Sequence, residues 1–265
     1  MMWVKRMTKK LILFDVDGTL YDNANKCVPA STIAAIKKLK ELGHELVVAT
    51  GRAYFMLYSI EEIIHLFDHF ILINGQHIMS LNKTIYEDVV DKDTLNKLIK
   101  NLKNKNITYG FQSSHNEAVS EVNSSVTASF KKLNLNIPPE DEEFYHREKV
   151  FQMWCFCDEE QIKVLEKEHP EFDFVKWMTV GYDIIKKGQS KGKSIKILQE
   201  HLGYKTEDII AFGDGDNDVQ MLKEVGLGIA MGNATEKLKQ TSDYITTNID
   251  NDGIKNALLH FNIIK

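Results

Sequence analysis

The sequence predicts an α/β protein with a mostly parallel sheet and an inserted α+β module, and three observations support this. Short apolar runs such as Leu11 to Phe14 are too short and too apolar for surface helices, but they fit buried strands of a parallel sheet. These runs alternate with helical patterns in both terminal parts of the chain, which is typical of βαβ units. The intervening stretch, from about Thr84 to Tyr182, has longer polar segments and a Pro138-Pro139 pair in an acidic loop, so it is expected to form a separate module.

The amino-terminal elements follow from apolar spacing and turn residues. After the first strand, apolar residues keep helical spacing from Ile33 to Leu42, and Gly43 supplies a stop. The next predicted elements are a strand at Glu45 to Ala49, a helix to about Leu66 and a strand at Phe70 to Ile73.

The carboxy-terminal part repeats this rhythm. Its predicted elements are a helix at Lys191 to Leu202, a strand at Asp208 to Phe212, a helix through Val225, a strand at Leu227 to Met231, a short helix, an extended segment at Tyr244 to Thr246 and a last helix from Gly253. In the module, helices are predicted at 92–104, 121–133 and 159–167, and strands at 107–111, 150–157 and 172–177. We therefore assign 1–83 and 183–265 to a core domain and 84–182 to an inserted domain.

Length and composition limit the possible functions. The 265 residues exceed the commonest size of a single domain, so two domains are expected. A formal net charge of -5 argues against nonspecific nucleic-acid binding. No apolar stretch approaches the ~20 residues that span a bilayer, so no membrane partner is expected. The three cysteines match no disulfide framework or zinc spacing, and we expect a cytoplasmic protein.

Two acidic clusters each follow a predicted buried strand. Asp15 and Asp17 come after the first strand, and Asp214, Asp216 and Asp218 come after the strand that ends at residue 212. Ligands of open α/β sheets bind beyond the carboxyl ends of the strands, so these carboxylates can share one hard cation. Mg²⁺ is the natural candidate because it takes oxygen ligands and is usually held by one or two carboxylates with waters and substrate phosphate.

The spacing of Asp15 and Asp17 suits phosphoryl transfer. Residues i and i+2 of an extended chain project to the same side, so one carboxylate can attack a substrate while the other handles the leaving-group proton. Positive groups must then neutralise the phosphate oxygens. Thr50 lies at a strand-to-helix junction where its hydroxyl and the adjacent backbone N–H can bind phosphate, and Lys191 opens a helix and can bring the countercharge. Asp214 would complete the metal shell.

Two other site types, a calcium-binding loop and a nucleotide-binding P-loop, are excluded by residue type and by spacing. A calcium loop that starts at Asp214 would need glycine where Val219 stands and an acid where Val225 stands. The segment from Gly188 to Ser194 ends like a nucleotide-binding P-loop, but only three residues separate its glycines instead of four.

In this order, the motifs resemble those of the haloacid dehalogenase superfamily, specifically its Cof-type phosphatases. The family's four motifs look like Asp15 to Leu20, Ala49 to Arg52, Lys191-Gly192 and Gly213 to Asp218. The motifs lie in the first eighty or so and the last eighty residues, while the middle matches mainly by position. The resemblance implies a Rossmann-like core with a mostly parallel sheet and an α/β cap inserted between the second and third motifs.

The resemblance also implies roles for individual residues. Asp15 would be the nucleophile and Asp17 the general acid and base. Mg²⁺ would be held by Asp15, the backbone carbonyl of Asp17 and Asp214, with Asp218 supporting the site. The phosphate would be held by the backbone at Val16, by Thr50 and Gly51, by Lys191 and by Asn217.

The expected function is therefore a Mg²⁺-dependent phosphatase that hydrolyses small phosphomonoesters, such as sugar phosphates, through an aspartyl-phosphate. A sugar phosphomutase would share the nucleophile. A non-enzymatic phospho-receiver fits less well because an acid and base beside Asp15 promotes hydrolysis, and a metabolite-binding module fits less well because all the catalytic residue types are present. Substrate choice is expected to lie with the inserted domain and the hinge. Candidates there are Asn74, Gln76 and His77 near the hinge, together with the aromatic residues Tyr109, Phe111, Trp154, Trp177 and Tyr182 of the inserted domain, and none of them is assigned.

Overall fold

The computed structural model describes residues 9–133 and 135–265, so residues 1–8 of the predicted core domain lie outside the described residues. Within these ranges the strands are β1 Leu11–Phe14, β2 Glu45–Ala49, β3 His69–Leu72, β4 His77–Ser80, β5 Lys83–Glu87, β6 Thr108–Gln112, β7 Glu117–Val119, β8 Gln152–Phe156, β9 Phe172–Lys176, β10 Gly181–Lys186, β11 Ile209–Gly213, β12 Leu227–Ala230 and β13 Tyr244–Ile245. The α-helices are α1 Ala30–Glu41, α2 Glu61–Ile64, α3 Lys92–Asn104, α4 Ser124–Lys132, α5 Phe144–Arg147, α6 Glu159–Glu168, α7 Lys191–Leu202, α8 Val219–Lys223, α9 Glu236–Lys239 and α10 Gly253–His260. Short 3₁₀ helices lie at Tyr54–Ile60, Ile73–Gly75, Thr206–Asp208, Asp216–Asp218 and Ile249–Asn251.

An eight-stranded sheet forms the core, in the order β13-β12-β11-β1-β2-β3-β4-β5. The strands from β13 to β3 pair in parallel, and β4 and β5 add an antiparallel edge. All four residues of the central strand β1 are fully buried. Its odd and even positions face different hydrophobic clusters: Ile12 packs with residues of α1 and α10, and Leu13 packs with residues of α7 and α8. Helices therefore cover both faces, as a parallel sheet requires.

A second sheet, in the order β7-β6-β8-β10-β9, is antiparallel throughout. It carries α3 and α6 against its own hydrophobic cluster, which includes Leu98 and Leu165. We call the segment from α3 through β10 the inserted domain. β5 belongs to the core sheet and β10 to the second sheet, so the predicted boundary at 83/84 falls at the start of one strand and that at 182/183 falls inside the other.

The continuous helix predicted after β2 is wrong. A 3₁₀ helix at Tyr54–Ile60 and the four-residue α2 take its place, and Leu57 inside the 3₁₀ segment has non-helical backbone angles (φ -86°, ψ 19°). Aromatic and β-branched residues lose side-chain freedom in an α-helix, so this stretch has a weak helical preference. The Arg52 guanidinium also takes the Met56 carbonyl as an acceptor at 3.1 Å, which diverts a helical hydrogen-bond acceptor.

Candidate active site

The loops that follow β1 and β11 touch each other at the carboxyl edge of the core sheet. These two strands are neighbours in register, with Phe14 opposite Phe212. The Thr19 hydroxyl donates to the Asp214 carboxylate at 3.1 Å. Gly18 has a φ of 80°, and a Cβ there would lie 2.2 Å from an Asp214 oxygen, so only glycine fits this contact. The two acidic clusters, far apart in sequence, therefore form one site.

Lys191 lies at the centre of this site. It occupies the first turn of α7, which the Ser190 side chain caps by accepting from the backbone N–H of Lys193 at 3.2 Å. Its ammonium donates to Asp15 at 2.5 Å and to Asp218 at 2.6 Å, and its side chain is fully buried. The lysine therefore holds the ends of three chain segments together by charge.

Asp218 uses both of its oxygens inside the protein. One oxygen accepts from Lys191, and the other accepts from the backbone N–H groups of Asp214 and Gly215, each at 3.0 Å. Asp218 is completely buried. It therefore fixes the loop that carries Asp214, and its oxygens point into the same acidic cluster.

The cluster carries more negative than positive charge. Burial, the charge of Asp218 and the charge of Asp17 raise the pKa of Asp15 to about 7, although Lys191 opposes this. Burial and the charges of Asp15 and Asp218 raise the pKa of Asp214 to about 9. Burial alone would lower the pKa of Lys191, but its two acidic partners outweigh that effect and raise it. A further cation would relieve this imbalance.

The acidic cluster fits a hard divalent cation. One carboxylate oxygen from each of Asp15, Asp214 and Asp218 lies within 4.8 Å of the others. The donors are all oxygens, and two of the three side chains are buried. Oxygen donors in this number suit Mg²⁺, which keeps several waters and takes one or two carboxylates.

Arg52 holds Asp17, and the sequence reasoning gave this arginine no role. Its Nε donates to one oxygen of Asp17 at 2.8 Å and its Nη2 to the other at 2.6 Å. Arg52 is buried, whereas the Asp17 side chain is 29% exposed. The same guanidinium lies 3.5 Å from the Leu133 carbonyl oxygen of the inserted domain. The proposed acid and base is thus fixed by a fork-shaped ion pair that also reaches across the domain boundary.

The predicted phosphate-binding residues lie around a cleft of about 720 Å³ between the core sheet and the inserted domain. Asp15, Asp17, Asp214, Thr50, Gly51 and Asn217 line it. Thr50 is buried, and its hydroxyl oxygen accepts from the backbone N–H of Arg52 at 3.1 Å, which leaves its proton available to a ligand. Lys191 and Asp218 lie just behind these residues, and Val16 is buried in the loop between Asp15 and Asp17.

The inserted domain supplies the opposite wall of the cleft. Gln112, Gln152, Trp154 and Asp183 line this wall, and of these only Trp154 was among the candidates for substrate selection in the sequence. Strand pairing explains why the local pattern could not find them: Gln112 lies opposite Gln152, and Asp183 lies opposite Trp154, across strands far apart in the chain.

Comparisons with known proteins give one consistent result. Residues 12–258 match the family model of the haloacid dehalogenase-like hydrolases. The chain is 35% identical to YkrA of Bacillus subtilis over 98% of its own length and 100% of the relative, and 27% identical to the pyridoxal phosphate phosphatase YbhA of Escherichia coli over 94% and 97%. The solved structure of the subclass IIB sugar phosphatase BT4131 superposes with a TM-score of 0.89 at 32% identity, over 97% of this chain and 100% of that one.

These matches confirm the predicted resemblance and fold class. In the described ranges, no helix is long and apolar enough to cross a membrane.

Proposed function

Because this chain belongs to the haloacid dehalogenase-like hydrolase family, we propose that it is a magnesium-dependent phosphatase of small phosphorylated metabolites that works through an aspartyl-phosphate. The observation that carries this proposal is the fully buried Lys191, which bridges Asp15 and Asp218 at the end of the cleft while Asp214 completes the acidic cluster. Such an arrangement gives an anionic nucleophile the countercharge that it needs to approach a phosphate.

In the first half of the reaction, an Asp15 oxygen attacks the phosphorus atom of a monoester. The new oxygen–phosphorus bond forms as the bond to the leaving alcohol breaks, and Asp17 gives that alcohol its proton. In the second half, Asp17 takes a proton from a water that attacks the phosphorus, and Asp15 is released as a carboxylate. Lys191 stabilises negative charge near the phosphate in both halves.

Mg²⁺, held by Asp15, the Asp17 backbone carbonyl and Asp214, would supply positive charge to the phosphate oxygens. Asp218 would contribute by fixing the Asp214 loop, because its own oxygens already accept hydrogen bonds from protein groups. The Thr50 hydroxyl and the backbone at Gly51 and Val16 would donate to the same oxygens, with Asn217 at the rim of the cleft.

The ion pair with Arg52 directly fits the role of Asp17 as the general base. A carboxylate held by two arginine hydrogen bonds is the form that takes a proton from water. To donate a proton to the leaving alcohol, Asp17 has to loosen this pair, and the 29% exposure of its side chain towards the cleft gives it room to do so. Arg52 therefore sets the position from which Asp17 works.

Small metabolites fit the dimensions of the site and the relatives. A cleft of about 720 Å³ lies in the size range of small-molecule sites, and relatives are named for pyridoxal phosphate and for sugars. We propose small phosphomonoesters as the partners, with no nucleic-acid or membrane partner. The cytoplasmic location stays a prediction.

Phosphate release from a panel of sugar phosphates, phosphorylated cofactors and nucleotides tests the proposal, with Mg²⁺ and with EDTA. We expect release that needs Mg²⁺, and a phosphorylated protein that is trapped by acid and lost in Asp15→Asn. A phosphomutase would instead form an isomer of the substrate without releasing phosphate. Activity that survives in Asp15→Asn would refute the assignment of the nucleophile.

A further inference from the structure

Three successive residues after β3 have left-handed backbone angles. The φ values are 51° at Ile73, 52° at Asn74 and 95° at Gly75. Glycine tolerates this conformation, but for a β-branched residue such as Ile73 it is a genuine outlier. Two backbone hydrogen bonds to the neighbouring loop hold it, from Ile73 N–H to the Arg52 carbonyl and from Asn74 N–H to the Thr50 carbonyl, each at 3.1 Å. Strain of this kind persists where surrounding structure imposes it, often at functional sites.

The strained turn carries the Asn74 side chain to the inserted domain. Its amide nitrogen donates to the Asp183 carboxylate at 2.9 Å and to the Gln152 side-chain oxygen at 3.1 Å. Gln152 in turn donates to Gln112 at 2.5 Å. On its other side, the Asn74 oxygen lies 3.2 Å from the position that a Cβ at Gly51 would take. Asn74 is thus wedged between a phosphate-binding loop and the wall of the inserted domain.

Asp183 is an acid that the proposed chemistry does not use. Among the cleft-lining acids of the described ranges, it is the only one that the inserted domain contributes. Burial raises the pKa of Asp183 to about 7, against the opposing effects of Asn74, Lys191 and Trp154. Its side chain belongs neither to the acidic cluster nor to the phosphate-binding residues.

A purely structural bridge between the domains does not account for this carboxyl group. The Asn74 amide nitrogen has two protons to donate, and the neutral amide of Gln152 shows that an uncharged acceptor serves for one of them. A carboxylate in the same place carries a desolvation penalty that an amide would not. Asp183 also lines the cleft, and its two oxygens can accept more hydrogen bonds than those that Asn74 and Trp154 provide.

We propose that Asp183 is a specificity-determining residue that binds a hydroxyl group of the leaving alcohol, and that Asn74 is the positioning residue that holds its carboxyl group. This inference rests on the proposed phosphatase function. A hydroxyl group suits this partner because it donates to a carboxylate and accepts from a carboxylic acid, whereas an ammonium group can only donate. A second anionic group on the substrate would be repelled. The selected esters therefore carry at least one hydroxyl group on the leaving alcohol.

Matched probes with and without hydroxyl groups test the inference. Glucose 6-phosphate pairs with cyclohexylmethyl phosphate, and glycerol 3-phosphate pairs with n-propyl phosphate, so each pair keeps its carbon frame. We expect the wild-type protein to prefer the hydroxylated member of at least one pair in kcat/KM. In Asp183→Ala, which removes the whole carboxyl group, this preference should fall by about tenfold to a hundredfold, the range for a lost hydrogen bond to a charged group.

The ratio of kcat/KM between the two members of a pair distinguishes a lost contact to the hydroxyl group from a general loss of structure. A loosened fold would lower kcat/KM for both members equally. Glu117→Gln is the matched control: Glu117 is another acid of the inserted domain with a pKa raised to about 7 by burial, but it lines a different cavity near Arg147. Its variant should keep the wild-type ratio. Asp183→Ser, whose shorter side chain also lacks the carboxyl group, provides the same test if Asp183→Ala does not fold.

Three outcomes contradict the inference while the proposed function stands. They are an unchanged ratio in both Asp183 variants, an equal loss on both members of a pair, and a wild-type protein that hydrolyses p-nitrophenyl phosphate but never prefers a hydroxylated probe. No phosphate release from any of these esters in the presence of Mg²⁺ would instead overturn the proposed function, and the inference with it.

Discussion

Replacing Asp15 by asparagine should make the metal-free protein more stable while it abolishes turnover. Asp15 is buried within 4.8 Å of the carboxylates of Asp214 and Asp218, and its only close countercharge among the described residues is Lys191. Asparagine keeps the shape and removes one negative charge from this cluster. Lys191 retains Asp218 as a partner at 2.6 Å, so no buried cation is left unpaired.

The size of the gain follows from the pKa of Asp15, which rises from 3.8 to about 7. At about 1.4 kcal/mol for each pKa unit, ionising this group in the folded protein costs up to about 4 kcal/mol. The sign follows from linkage. The folded state holds the proton more tightly, so the contribution of this group to stability is fully present below pH 3.8 and is lost as the pH rises through about 7.

Urea unfolding in EDTA at pH 8 and at pH 5 measures this effect. At pH 8 we expect Asp15→Asn to gain at least about 2 kcal/mol in the free energy of unfolding and at pH 5 less than half of the pH 8 gain, because the wild-type group is then largely protonated when folded. A variant that is less stable than wild type at pH 8, or a gain that does not change with pH, would refute the reasoning. With Mg²⁺ supplied, Asp15→Asn should show no phosphate release.

Three further predictions concern other charged groups. Asp214→Asn should lose the thermal stabilisation that Mg²⁺ gives the wild-type protein, together with at least about a hundredfold in kcat, and a melting curve that still responds to Mg²⁺ would contradict this. Arg52→Lys replaces a two-point contact to Asp17 by a single point and should lower kcat by about tenfold or more while the Mg²⁺ response of the melting temperature is kept; unchanged kcat would remove Arg52 as a positioning residue. Glu117→Gln should raise the free energy of unfolding at pH 8 by up to about 3 kcal/mol and leave it unchanged at pH 4. Burial raises the pKa of Glu117 from 4.5 to about 7, so the stability contributed by the protonated carboxyl group is lost as the pH rises through that value. Urea unfolding of both proteins at the two pH values checks this prediction.

The parallel part of the core sheet was predictable because its strands are continuous apolar runs, whereas the edge strands β4 and β5 were not predicted. The strand at Glu45–Ala49 and the helix at Lys191–Leu202 have the predicted bounds, and β1 is also as predicted. The helix expected to end near Leu66 was not predictable from apolar content alone, because the Arg52 contact that competes for the Met56 carbonyl is a tertiary interaction.

Strand membership shows a second limit. The run from Tyr182 to Ile185 is typical of a strand but could belong to either domain. The predicted boundary at 182/183 assigned most of this run to the core domain. In the structure, this strand pairs with β8 and β9 of the inserted domain. A short apolar run indicates that a strand exists but does not state its partners, since pairing depends on contacts over long sequence distances.

The candidate site divides in the same way. The sequence motifs indicated Asp15, Asp17, Lys191 and Asp214, because their residue types and their positions at strand and helix ends are local properties. The sequence did not indicate the hydrogen bonds from Arg52 to Asp17 or from Asn74 to Asp183. Each joins residues from different loops or domains, so only the folded arrangement brings them together.

The charges of the site explain why stability and chemistry oppose each other here. A nucleophilic carboxylate must be buried to exclude water and must have other carboxylates nearby to hold a cation, and both conditions raise the pKa of Asp15 and Asp214. Lys191 offsets only part of this charge. If the cluster served stability alone, neutral side chains would fill the same space at lower free energy. The excess negative charge is therefore consistent with a site that binds a cation and a phosphate together. The predicted gain in stability of Asp15→Asn measures the free energy of unfolding that the metal-free protein loses by carrying this charge.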